Sequence, residues 1–74
     1  MSGPRKRSVV IAGHPTSLTL EDEFWDELRR IAEEEGVSVP VLIGRIDTGR
    51  DERSLSSAVR VYVLQYLRRA AGRD

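Results

Sequence analysis

Thr16, Ser17, Leu18, Thr19 and Leu20 alternate polar and apolar with the two-residue period of a half-buried strand, and at Glu21 the apolar spacing changes to that of a helix. A strand running directly into a helix has two edges of N–H and C=O groups to satisfy, and a single amphipathic strand cannot satisfy them alone. It needs a copy of itself. Two such strands related by a two-fold axis make an antiparallel ribbon, with Leu18 and Leu20 turned to the helices and Ser17 and Thr19 turned outward.

The segment just upstream is also rich in β-formers but is out of phase. In one continuous strand Val9 and Ile11 would fall beside Ser17 and Thr19, while Val10 and Ala12 joined the leucines. This conflict predicts a break at Gly13-His14-Pro15, where Gly tolerates unusual backbone angles and Pro both fixes its own and restricts His14. We therefore expect a first extended piece near 8–12 and a second strand at 16–20. Residues 1–7 carry Arg5, Lys6 and Arg7 with no apolar periodicity, so they are expected to form a flexible basic arm ahead of a single domain over 8–74.

Three helices are expected. In the first, Phe24, Leu28 and Ile31 recur at helical spacing, Trp25 and Ala32 widen the stripe, the acids at 21–23 suit the helix N-terminus, and Gly36 stops it. In the second, Ser38 is the N-cap, Pro40 is tolerated in the first turn, and Val39, Leu42, Ile43 and Ile46 form the apolar face ahead of a charged loop at 47–51. A third, over about 54–71, gathers Leu55, Val59, Tyr62, Val63, Tyr66, Leu67 and Ala70 on one arc. Val61 and Leu64 interrupt its polar side, which makes them candidate contacts for another subunit or a protein partner. The fold class is mainly α with a short β-ribbon. Leu18, Leu20, Phe24, Leu28, Ile31, Leu42 and Ile43 are the candidate dimer core.

Size supports self-association. A chain of 74 residues, 39% hydrophobic, builds one core, and a core of that size supplies only about 3–5 kcal/mol unless a disulfide, a metal or a partner helps. There is no cysteine and only one histidine, so neither a disulfide nor a metal site is expected. No apolar run approaches membrane-spanning length, and the basic opening is not followed by a signal-type apolar stretch, so a cytoplasmic location without membrane contact is expected. The formal net charge is zero, with basic ends and an acidic middle. No Cys or Ser joins a His and an acid in a nucleophile pattern, and no Gly-rich phosphate loop precedes a helix, so neither an enzyme nor a cofactor is expected. His14 reads as turn structure, and Trp25, Tyr62 and Tyr66 as core rather than base-stacking residues.

The stretch TSLTLEDEFWDELRRIAEEEGVSVPVLI, residues 16–43, resembles the ribbon-helix-helix superfamily of Arc- and MetJ-type repressors. With RSVVIAGHPTSLTLEDEFWDEL and RSLSSAVRVYVLQYL, the chain is similar to a subfamily of short bacterial ribbon-helix-helix proteins with an added C-terminal helix. The resemblance implies an intertwined homodimer with antiparallel intersubunit strands, a double-stranded DNA partner, and a repressor-like role in transcription regulation. It implies base contacts from Ser17 and Thr19, with Pro15 next in phase, as the ribbon enters the major groove. It implies phosphate contacts at the start of helix two, from Val37, Ser38 and Val39, to which Arg5, Lys6 and Arg7 of the basic arm would add. LSSAVRVYVLQYL itself looks like a second helix of this type, so Ser56 and Ser57 are rival phosphate-facing residues. The other reading is a protein-interaction module, antitoxin- or adaptor-like, gripping its partner through the acidic helix or helix three. Zero net charge favours that reading; the basic arm and ends favour DNA.

Overall fold

A computed structural model describes residues 3–72. Two strands, β1 (Arg5–Ile11) and β2 (His14–Leu20), precede three helices, α1 (Asp22–Glu35), α2 (Val39–Thr48) and α3 (Leu55–Ala71). The strands form an antiparallel hairpin in a register running from Arg5↔Leu20 to Ile11↔His14. Its loop is Ala12-Gly13, with φ of 50° and 81°, the pair of positive values that a two-residue type I′ turn requires. That loop resolves the phase conflict in the sequence. Turning back over two residues switches parity, so Val9 and Ile11 join Leu18 and Leu20 on the inner face.

Three expectations are corrected. The break falls at Ala12-Gly13, and His14 and Pro15 are the first residues of β2 instead of turn residues. β1 begins at Arg5, so Arg5, Lys6 and Arg7 are strand residues and not part of a flexible arm. Residues 1–2 of that arm and 73–74 of the expected domain lie outside the described residues. Lastly, the strand that needed a copy of itself finds its partner in β1 of the same chain. As a result Leu18, Leu20, Leu28, Ile31, Leu42 and Ile43, expected at a dimer core, are already buried within one chain, and Phe24 is half-buried.

The helices pack beneath the hairpin, α2 under β1 and α3 under β2, with α1 against both other helices. Gly44 explains how close α2 comes, since a Cβ there would stand 3.2 Å from Ile11 Cγ2. Ala32, Ile46, Leu55, Ala58, Val59 and Val63 complete the core. The caps follow the sequence: Gly36 is left-handed at φ 71°, Ser38 Oγ accepts from Val41 N at 3.3 Å, and Ser54 Oγ accepts from Ser57 N at 3.1 Å. On α3, Ala70 is exposed despite its place on the apolar arc, Val61 is half-buried, and Leu64 is 46% exposed. At the acidic end of α1, which lies against the helix dipole, Glu34 has local partners: Tyr66 Oη donates to it at 2.7 Å, and Arg30 pairs with the same carboxylate at 3.6 Å. Among the described residues no helix is long and apolar enough to cross a membrane.

Candidate functional site

Strand alternation divides the hairpin into two faces. Arg7, Val9, Ile11, Thr16, Leu18 and Leu20 turn toward the helices; Lys6, Ser8, Val10, Pro15, Ser17 and Thr19 are exposed on the other side. Across the ribbon Lys6 stands opposite Thr19, Ser8 opposite Ser17, and Val10 opposite Pro15. Ser17 and Thr19 thus share one outward polar face, as the sequence suggests. Lys6 and Ser8 join them, which alternation within β2 alone could not reveal.

The far end of β2 is clasped by α3. The Thr19 N–H donates to Ser56 Oγ at 2.9 Å, and Arg60 reaches the Thr19 carbonyl at 3.2 Å and Glu21 Oε1 at 2.9 Å. Hydrogen bonding from Arg60, with help from Glu21's own backbone, holds the Glu21 carboxyl below its ordinary value of 4.5. The Arg60 guanidinium also lies 5.9 Å from the Phe24 ring. Ser56 therefore sits directly beside Thr19, on the flank of the outward face. Its hydroxyl is already an acceptor for the ribbon, while the cap of α3 is Ser54.

The three cations near the N-terminus have different fates. Arg7 turns inward, donates to Asp22 Oδ1 at 2.5 Å and stacks 4.7 Å over Trp25, with 18% of its side chain exposed. Its guanidinium is held between the ribbon and α1, which removes it from the residues free to meet a phosphate. Arg5 shares Asp22 at 3.6 Å but remains largely exposed. Among the described residues, Lys6 is the cation that the outward face carries. Trp25, half-buried beneath Arg7, is used as a cation-π platform.

The start of α2 is a separate place. Val37, Ser38 and Val39 line a shallow cleft with Asp26, Arg29, Arg30 and Glu33 of α1, and no strand residue enters its wall. Ser38 spends its hydroxyl on capping Val41, and Pro40 has no N–H to offer, which leaves the Val39 amide as the first-turn donor without such a partner. His14 is exposed at the turn end of β2, where its carbonyl accepts from Thr16 Oγ1 at 3.3 Å. No cluster of three or more potential metal ligands occurs among the described residues.

A hairpin with a polar outer face, carried on three helices and clasped by the last, is matched by a protein-family model described as Ribbon-helix-helix domain over residues 4–67. The chain belongs to the ribbon-helix-helix family. The match takes in both strands, α1, α2 and all but the last turn of α3, so α3 is part of the ribbon-helix-helix unit here. No curated protein and no solved structure gives a significant match. Ribbon-helix-helix domains are commonly DNA-binding transcription regulators or antitoxins, and are generally regulatory and not enzymatic.

Proposed function

We infer that this ribbon-helix-helix protein is a sequence-specific DNA-binding regulator, repressor-like, acting as a homodimer in the bacterial cytoplasm. The observation that carries the reading is the outward face of the hairpin, where Lys6, Ser8, Ser17 and Thr19 stand exposed, in register, on the side away from the helices. Short hydroxyl side chains either donate to or accept from base edges, and a two-stranded ribbon fits the major groove. Ser17 and Thr19 are the proposed base contacts, with Ser8 beside them. Lys6 supplies charge for the backbone and Arg5 can add to it, whereas Arg7 serves the fold. Val37, Ser38 and Val39 are the proposed phosphate contacts at the start of α2, and Ser56, next to Thr19, is the rival on the flank of the ribbon.

The test is binding to random and to genomic double-stranded DNA fragments at low and at physiological salt, since affinity without a stated salt concentration carries no information. Selective retention of particular genomic fragments at physiological salt supports the proposal. Adhesion that vanishes on raising the salt, equally for all fragments, refutes it. A second reading, a protein-interaction module of antitoxin or adaptor type, is favoured by the zero net charge and by Leu64, which is 46% exposed on α3. In that case Val61 and Leu64 are where a protein partner would be sought.

A further inference from the structure

Between α2 and α3 lies a cleft of about 280 Å³, at the small end of the range of about 300–1,000 Å³ that ligand pockets occupy. Its floor is apolar: Leu42, Ile46 and Ala58 are buried and Val61 is half-buried. Its rim is cationic. Arg45, Arg50 and Arg53 line it beside Tyr62 and Gln65, and among the described residues no carboxylate does. The cleft at the start of α2, by contrast, sets Asp26 and Glu33 among its arginines. The three arginines differ in what they already hold. Arg50 Nε pairs with Asp47 at 2.7 Å and its Nη1 donates to the Arg53 carbonyl at 3.2 Å, so it braces the loop between the helices. Among the described residues Arg45 and Arg53 meet no carboxylate, and Asp51 and Glu52 of the same loop are exposed outside the cleft wall. The basic character continues past Tyr62. Burial and then Glu35 push the Tyr62 hydroxyl up, and the charges of Arg69 and Arg45 oppose them.

We propose that the α2–α3 cleft binds a small organic anion: a compact apolar body rests on Leu42, Ile46, Ala58 and Val61, and its one carboxylate, sulfonate or phosphate is held by Arg45 and Arg53. Guanidinium forks match the oxygens of such groups and hold them by charge-assisted bonds. Both halves of the ligand are needed. A bare anion gains only solvent-exposed ion pairs, which are worth little, and a neutral body covers the floor but leaves the arginines without a counter-charge. Neither strand lines the cleft, so an occupant leaves Lys6, Ser8, Ser17 and Thr19 uncovered. It rests instead on Ala58, in the turn of α3 between Ser56 and Arg60, the residues that hold the main chain of Thr19. The site stands whether or not the ribbon binds DNA.

Anilinonaphthalene sulfonate and phenylnaphthylamine share one aromatic body and differ by the sulfonate, and both brighten when that body leaves water. Added to the full chain at neutral pH and physiological salt, the sulfonate is expected to bind saturably, with one site per chain, and at least tenfold tighter than the neutral probe. Octanoate should displace it. Arg45→Gln and Arg53→Gln, at exposed side chains, should each weaken it at least threefold with unchanged circular dichroism, whereas Arg29→Gln on α1 should leave it unchanged. A sulfonate that never brightens would overturn the proposal outright. Equal affinity for the two probes, or tighter binding once the arginines are replaced, would overturn it too, because the arginine stems would then only cover an apolar floor. Displacement by poly-L-glutamate and not by octanoate would overturn it in favour of an acidic protein segment. Weaker DNA binding by Arg45→Gln and Arg53→Gln, with probe binding unchanged, would overturn it in favour of phosphate contacts.

Discussion

Ser56 Oγ accepts the backbone N–H of Thr19 at 2.9 Å, joining two residues 37 positions apart. The bond uses the main chain of Thr19 and leaves its side chain free to face outward. Thr19→Ala is therefore expected to keep the fold, while Ser56→Ala loses the clasp and costs about 0.5–1.5 kcal/mol in urea unfolding, the ordinary worth of one such bond. Leu18→Asp, one residue away, buries a charge on the inner face and should abolish folding by circular dichroism. A folded Leu18→Asp variant alongside an unfolded Thr19→Ala variant would mean that the two faces of β2 are exchanged.

Arg7 and Lys6 are neighbours with opposite duties, and a pair of alanine variants separates them. Arg7→Ala removes the contacts to Asp22 and Trp25 and is expected to lower stability by about 1 kcal/mol, a modest figure because Asp22 is partly in water. It should leave the salt dependence of DNA binding unchanged. Lys6→Ala should do the reverse: unchanged stability, weaker binding to all sequences, and a salt slope reduced by about 0.9 for each phosphate that is no longer neutralised. An equal fall in slope from both variants would show that Arg7 leaves Asp22 to reach DNA.

Acid should loosen the α3 clasp before it unfolds the chain. Glu21 is held below its ordinary 4.5 chiefly by the hydrogen bond from Arg60. A carboxyl whose folded value is depressed contributes stability that is fully present above the unfolded value and is lost as pH falls through the lower folded one. Glu21→Gln is therefore expected to melt at a lower temperature than wild type at neutral pH, with the gap closing in strongly acidic buffer. Thermal melts across that range decide it, and a gap that stays constant would show that the Glu21 carboxylate is not what Arg60 stabilises.

Ala12 is a non-glycine residue in the left-handed region, at φ 50°. Asn tolerates that region better than Ala and is favoured at this position of a type I′ turn, so Ala12→Asn is expected to stabilise the protein by about 0.5–1 kcal/mol. Ala12→Val, β-branched, should destabilise it. Chemical denaturation of the two variants checks the sign of both.

Much of the fold could be read from spacing. The stripe Phe24, Leu28, Ile31 and the caps at Ser38 and Gly36 act locally, and so do the signals that reveal them. The face assignment of Ser17 and Thr19 likewise follows from alternation inside five residues. The pairing of β1 with β2 could not be read the same way, because it turns on Ala12 accepting a conformation that its type disfavours, and no pattern announces that. Arg7 was illegible for another reason: a cation among polar residues looks solvated, and only the fold brings Asp22 and Trp25 to it. The Thr19–Ser56 contact joins two segments whose proximity exists only after α1 and α2 have folded between them.

Pro15 gains its meaning from its place on the β2 edge of the hairpin. A two-edged ribbon offering donors and acceptors on both sides could pass strands from molecule to molecule without end, which is the geometry of a fibril. The proline and the Ser56–Arg60 clasp withdraw donors and acceptors from the β2 edge at Pro15 and Thr19, so a strand arriving there would meet a broken ladder. Replacing Pro15 by threonine would restore a donor to the β2 edge while leaving the core and the Thr19 contacts as they are, so its signature would be a lower solubility and not loss of fold.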